Sequence, residues 1–358
     1  INADNATNND RTLSLSSGQS STITVTGNVG TSQALAGLTI LQSNGTTFSA
    51  NVDVSDSNAG TITLTDTSND KHIRFEGNLT ADNLTTVAQG YRLFLIGDTT
   101  TFTNAVSFQN ADNVALGNEA GDSLTFNGGL TTTGVSGGGI VFINGTIQTS
   151  NDAIVLGAVT LGSNTTIDTN ATGNTADITI AAITGGSNNL TLSTGNNVAG
   201  ADITASGAIS GLGNLTLADV GGTATFSNNV AAAQVSADNT VANVSFTGGT
   251  NTFSGAASFA NDGTLTFGDA TGDSFTFNGG LTTSSVAGTV TLNTSISSSD
   301  DALTFGAITL GNNVTIDTNA TDGAGDIVLG AVTSTNLSLT LDTTSTTGSA
   351  NHTFNGDI

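Results

Sequence analysis

Residues 121–132 read GDSLTFNGGLTT, and residues 272–283 read GDSFTFNGGLTT. The two phrases start 151 positions apart and differ once, at Leu124 against Phe275. In each, apolar and hydroxyl side chains alternate between a Gly-Asp pair and an Asn-Gly-Gly run. Alternation of that kind, bounded by turn residues, marks a short strand with one buried face. Leu124 and Phe126 then point inward, and Ser123 and Thr125 outward.

The match extends both ways. TFTNAVSFQN (101–110) answers TFSGAASFAN (252–261), and DAIVLGAVTLGSNTTIDTNAT (152–172) answers DALTFGAITLGNNVTIDTNAT (301–321) at an offset of 149. Two residues have been lost in between. The sequence places one loss near Gly137–Gly139 and the other near Asn144–Thr146. A one-residue slip inside a strand turns every side chain to the wrong face, whereas surface turns absorb it.

A shorter period lies inside the long one. ADITI (176–180) recurs as ADITA (201–205), and NNLTL (188–192) as GNLTL (213–217), both 25 positions on. Units of roughly 20–25 residues holding several short strands suit one turn of a β-solenoid. The expected fold is an all-β parallel β-solenoid of about 16 such turns, a rod of roughly 75 Å at ~4.8 Å per rung. Arrays of β-sandwiches would need units near 100 residues. Propeller blades would need a period of about 40–50.

Composition agrees. The 358 residues include 46 Gly and no Pro, Cys, Met or Trp, and the formal charge is −24. Thr suits strands, while Gly, Asn and Asp suit turns. The four basic residues are Arg11, Lys71, Arg74 and Arg92. With no Lys or Arg after Arg92, the chain lacks the cations that bind phosphate backbones or anionic lipid, so neither nucleic acid nor direct membrane insertion is expected. Without Cys there is no thiol chemistry.

Three segments are expected. Residues 1–92 hold all the basic side chains and form a capping or specialised β region. Residues 93–250 form a first solenoid repeat, and 251–358 a second, incomplete one. The second copy stops part-way, which fits either a cut chain or a stack continued by another molecule.

From about residue 93 onward the phrases NLTL, GAVTL, TIDTNAT, FTNAVSF and SLTFNGG lie in a Thr/Asn/Gly-rich, Cys-free background. The chain thereby resembles filamentous-haemagglutinin-type adhesins and autotransporter passengers, the β-helix repeat proteins of bacterial surfaces. The resemblance implies a right-handed parallel β-helix at the cell surface with adhesive or structural roles. It carries over no active-site residue.

Candidate sites are few. Asp317, Asp322 and Asp326 lie among glycines and offer hard oxygen ligands to Ca²⁺, the only ion or cofactor suggested; turn capping is the plainer reading. Lys71, Arg74 and Arg92 are candidate partner contacts, with a solvated strand face as the alternative. Asp300 and Asp301 are adjacent carboxylates, but strand neighbours face opposite ways. Asn-X-Ser/Thr triplets at Asn78, Asn144, Asn164, Asn189 and Asn214 read as stacked turn asparagines.

The sequence therefore suggests a non-enzymatic extracellular protein forming a cell-surface rod or fibre. Its partners would be a host or neighbouring cell surface, or further copies joined end to end in a filament. A polysaccharide-acting β-helix enzyme is the reading from another class.

Overall fold

The computed structural model describes residues 1–2, 11–65, 67–173, 176–195, 198–321, 323–344 and 348–358. Among them the one helical element is a 3-10 turn, Asp56–Asn58. All the rest of the regular structure is strand, in about 14 solenoid turns. The chain divides into two compact units, Ile1–Ala171 with Thr175–Ile178, and Thr172–Asn174 with Thr179–Ile358.

In the first unit three faces alternate along the chain. Strand Thr61–Leu64 lies on face A, His72–Phe75 on face B and Leu79–Ala81 on face C; Asn83–Thr85 then returns to face A, one rung on. Each strand pairs in parallel with its counterpart a turn away: Thr61 with Asn83, His72 with Arg92, Leu79 with Thr100. The long segments Val141–Gln148 and Ile154–Asp168 run through more than one face, and the first bends where Gly145 takes φ 72°.

Parallel in-register pairing stacks like upon like. On face B, Ile73, Leu93, Val114, Val141 and Val159 form one inward column. All five are buried. Burying such a side chain contributes about 1.5–3 kcal/mol. Phe48 stacks on Phe75 with centroids 4.9 Å apart and planes 2° apart, the spacing of the rungs themselves.

Asparagine columns secure the corner before face C. The Asn51 N–H donates to Asn28 Oδ1 at 3.2 Å, the Asn78 N–H to Asn51 Oδ1 at 3.0 Å, and the Thr99 N–H to Asn78 Oδ1 at 3.2 Å. Each side chain satisfies a backbone donor that the turn leaves out of the ladder. Asn189 does the same for the Asn214 N–H at 2.9 Å. Several of the triplet asparagines are therefore structural.

The second unit repeats the scheme. Ser123–Phe126 pairs with Thr99–Phe102 in the first copy, and Ser274–Phe277 with Thr250–Phe253 in the second. The glycines of the opening phrase are required there. A Cβ on Gly128 would lie 2.4 Å from the Ala105 nitrogen, and one on Gly279 would lie 2.3 Å from the Gly255 carbonyl carbon. Gly129 and Gly280 take φ of 102° and 84°, a region where other residues are strained.

Two sequence expectations need adjustment. The turn count is about 14 and not about 16, because rungs are longer than the recurring phrases suggest: Thr46 pairs with Ile73 and Val114 with Val141, 27 positions on in both cases. The two lost residues also fall together. Val114 pairs with Val141 and its counterpart Leu265 with Val290, so the offset is already 149 at Val141. Both deletions lie in the turn at 132–140, and the stretch near Asn144 is unaltered in length.

The Leu124/Phe275 difference belongs to a larger exchange. Phe275 contacts Phe246 and Phe267, with centroids 6.4 and 5.2 Å away. Their counterparts 151 positions earlier are Leu124, Leu95 and Leu116, all buried. Where the second copy gains these rings, it loses volume elsewhere: Tyr91 becomes Ala242, Val106 becomes Ala257 and Leu79 becomes Val230. Core volume is thus redistributed, which packed interiors tolerate better than a net change.

Two stability outcomes are expected in urea unfolding. Phe275→Leu alone should cost about 1 kcal/mol or more, by leaving a gap beside Phe246 and Phe267; no loss would show that this cluster is loosely packed. Leu190→Asp should cost several kcal/mol, because Leu190 is buried and stacks on Leu215, so the carboxylate would have no partner. A parent-like midpoint for Leu190→Asp would show that its side chain does not face the core.

Candidate functional site

Outward positions on this fold are mostly Thr, Ser, Asn and Asp. Face B of the first unit is different. Reading across its rungs, the outward residues in register are Thr47, Arg74, Phe94, Ala115, Phe142 and Thr160. Two aromatic rings thus stand on either side of a single methyl group. Alternation forces this: Leu93 and Leu95 fill the core, so Phe94 between them must face out.

Two residues further along the strands the row is Ile96, Gly117 and Asn144. The result is a channel one strand wide. Ala115 and Gly117 form its floor, Phe94 and Ile96 one wall, and Phe142 and Asn144 the other. The hollow measures about 340 Å³ and also touches Arg74 and Asn118. Gly117 is required by the turn: its φ is 76°, a Cβ there would lie 2.7 Å from the Asn144 carbonyl oxygen, and the second copy keeps it as Gly268 at φ 78°. Asn144 is fixed by donating from Nδ2 to the Gly117 carbonyl at 3.0 Å.

Charge lies at both ends. The Arg74 guanidinium sits over the Phe94 ring, 5.5 Å from its centroid, and Nε donates to Glu76 at 2.8 Å. Arg92 pairs with Asp112 at 3.2 Å and approaches Asp70 at 3.8 Å. Lys71 is exposed in the turn before His72, and its carbonyl accepts the Arg92 N–H. The structure therefore brings Lys71, Arg74 and Arg92 onto adjacent rungs of one face, with both arginines already ion-paired. Such exposed pairs contribute little to stability, about 0–1 kcal/mol each.

At the other end the carboxylates of Asp98, Glu119 and Asp122 lie within 4.8 Å of one another. Asp122 is buried, and its Oδ2 accepts the N–H groups of Asn118 and Glu119 at 2.6 and 3.1 Å, which shapes the turn. Asp98 and Glu119 are exposed. These oxygens are the ligand type that hard cations take.

The aspartates singled out from the sequence are placed differently. Asp317 Oδ1 accepts the Asn319 N–H at 2.8 Å, and Asp326 Oδ1 accepts the Asn351 N–H at 2.7 Å. Both act as turn and rung fasteners. Asp322 lies outside the described residues. Asp300, at φ 70°, accepts both the N–H and the hydroxyl of Thr321.

The second copy supplies a comparison on the same backbone. Opposite Phe94, Ala115 and Phe142 it has Ser245, Thr266 and Thr291, in the same register. Opposite Asp98 and Glu119 it has Gly249 and Ala270, while Asp122 is kept as Asp273. Asp273 makes the same turn, its Oδ2 accepting from Asp269 and Ala270. The turn is shared, and the second copy carries an exposed Asp269 in place of Asn118; the aromatic walls and the Asp98 and Glu119 pair belong to the first copy. Sequence reading overlooked them because Phe94 and Phe142 lie 48 positions apart. The available signal was a Phe at the outward parity of YRLFLIGD and of IVFING.

Two titrations are shifted here. Burial, and next the Arg74 charge, hold the His72 imidazole below its ordinary value. Burial pushes the Tyr91 phenol up to about 12; its hydroxyl donates to the Leu64 carbonyl at 3.4 Å. No family model, curated protein or solved structure matches this chain.

Tyr91 is the only tyrosine, so its titration can be read directly. A phenol whose folded value is raised lends stability below its unfolded value near 10, and that contribution is lost as pH rises through the folded value. Phenolate absorbance should therefore emerge only near pH 12, with stability falling between about pH 10 and 12 by on the order of 2–3 kcal/mol. Titration near pH 10 in the folded protein would overturn the burial of this ring.

Proposed function

We propose that the chain is a non-enzymatic, extracellular surface protein of the adhesive type, a β-solenoid scaffold whose recognition surface is the channel on face B. One observation carries this reading. The same backbone occurs twice, and only one copy bears outward aromatic walls where the other has hydroxyl side chains. Ladder geometry asks nothing of outward residues beyond solubility, so two half-buried aromatic rings on an outward row call for another cause. Contact with a partner supplies it: aromatic anchors beside a shallow hollow are what binding surfaces concentrate.

The adhesive part of the reading draws on the resemblance of the repeats to bacterial surface β-helix proteins and on the acidic, Cys-free composition. A net charge of −24 keeps such a scaffold soluble and apart from anionic surfaces. In this reading the remaining turns act as a spacer that presents the channel.

Exchange between the copies tests it. Phe94→Ser with Phe142→Thr installs the residues the second copy already uses at those places, so the fold should be preserved and the melting temperature should stay within about 2 °C. Binding to cells or extracellular matrix should fall at least tenfold. Undiminished binding by this double variant would sink the channel as the recognition surface.

A further inference from the structure

The channel has a shape and a charge pattern that select one class of occupant. Phe94 and Phe142 are separated by two rungs, about 9–10 Å, with Ala115 midway. A flat group inserted over Ala115 would lie about one rung, roughly 5 Å, from each ring. The protein already shows which flat group this face accepts: one rung before Phe94, the Arg74 guanidinium covers the same ring at 5.5 Å. Arg74, Phe94, Ala115, Phe142 is a cation–aromatic row with a buried methyl group where a further flat member would stand.

The charge balance agrees. Arg74 is neutralised by Glu76, and the His72 imidazole is held below its ordinary value, towards its neutral form. At the channel's far mouth Asp98 and Glu119 are exposed, and neither has a basic partner among the described residues. Asp98 and Glu119 follow the lining residues Ile96 and Gly117 by two positions, in the bends that end face B. In an extended peptide, side chains two positions apart point the same way and stand about 7 Å apart.

We propose, resting on the channel being a recognition surface, that its ligand is an extended basic peptide segment of a partner protein carrying an Arg-X-Arg pattern. The first guanidinium enters between Phe94 and Phe142 above Ala115. The second meets Asp98 and Glu119, with Asp122 fixing the turn that presents them. Arginine is selected over lysine because its planar head stacks on rings and pairs with carboxylates through a fixed fork, whereas an ammonium does neither as well.

Fluorescence anisotropy with labelled Gly-Ser-Arg-Ser-Arg-Ser-Gly tests this on the whole chain, at about 50 mM salt. The Lys-for-Arg peptide should bind at least fivefold more weakly, and the citrulline peptide, which keeps the shape without the charge, should not bind. Ala115→Phe should fill the space between the rings and cut affinity at least tenfold. Asp98→Asn with Glu119→Gln should cut it at least fivefold, with no loss of melting temperature, since both side chains are exposed. Equal binding of the Arg and Lys peptides, undisturbed by Ala115→Phe, would overturn the proposal and leave only the general attraction of an acidic surface. Loss of cell or matrix binding in the Phe94/Phe142 double variant, without any affinity for the Arg peptide, would overturn this ligand class while keeping the adhesive reading. Arg-peptide binding that Ala115→Phe abolishes, with cell binding unaffected, would support the ligand class and reject the adhesive role.

Discussion

Parallel in-register pairing is the constraint on which the rest depends. At about 4.8 Å per rung each residue rests on a counterpart from the turn before, so no side chain is chosen alone. Inward, this yields continuous columns such as Ile73, Leu93, Val114, Val141 and Val159. Outward, it brings residues 20 or more positions apart into direct contact. At the corners it lines up polar side chains with backbone donors, as in the Asn28, Asn51 and Asn78 column. Each bond adds only about 1 kcal/mol; the stability of such a fold comes from repeating the same interface.

How much of this the sequence disclosed follows from the same geometry. Alternation within a strand is local, so strands, inward faces and the duplicated rungs could be read from short phrases such as SLTFNGG. Turn lengths leave no periodic trace, and rung steps vary from 18 positions between Val141 and Val159 to 27 between Val114 and Val141. Counting turns from recurring phrases therefore gave too many. The channel was harder still. Lys71, Arg74 and Arg92 stood out as the rare cations of an acidic chain, but Ala115 has meaning only beside Phe94 and Phe142, and the register that joins them is a property of the folded stack.

The duplicated copies act as an internal control. Inward changes are coupled by volume: Phe246, Phe267 and Phe275 replace three leucines, while Ala242, Ala257 and Val230 replace larger groups. Packing explains that drift without reference to function. Outward changes face no such constraint, since Ser245, Thr266 and Thr291 serve the ladder as well as Phe94, Ala115 and Phe142 do. A difference the fold does not require, placed where a partner could reach it, is the kind that carries information about binding.

Acidic residues sort by the same criterion. Carboxylates stacked rung on rung would repel one another by about 1 kcal/mol even in water, so a chain with a charge of −24 must disperse or employ them. Many are employed. Asp202 accepts the Thr223 N–H at 2.7 Å, Asp326 that of Asn351, and Asp122 closes its own turn. Fasteners of this type recur wherever the turn recurs, as Asp273 does for Asp122. Among the described residues the Asp98 and Glu119 side chains fasten no backbone donor; they gather beside an already buried carboxylate and are replaced by Gly249 and Ala270 in the second copy. Exposed oxygens that the turn does not employ are open to a cation arriving from outside.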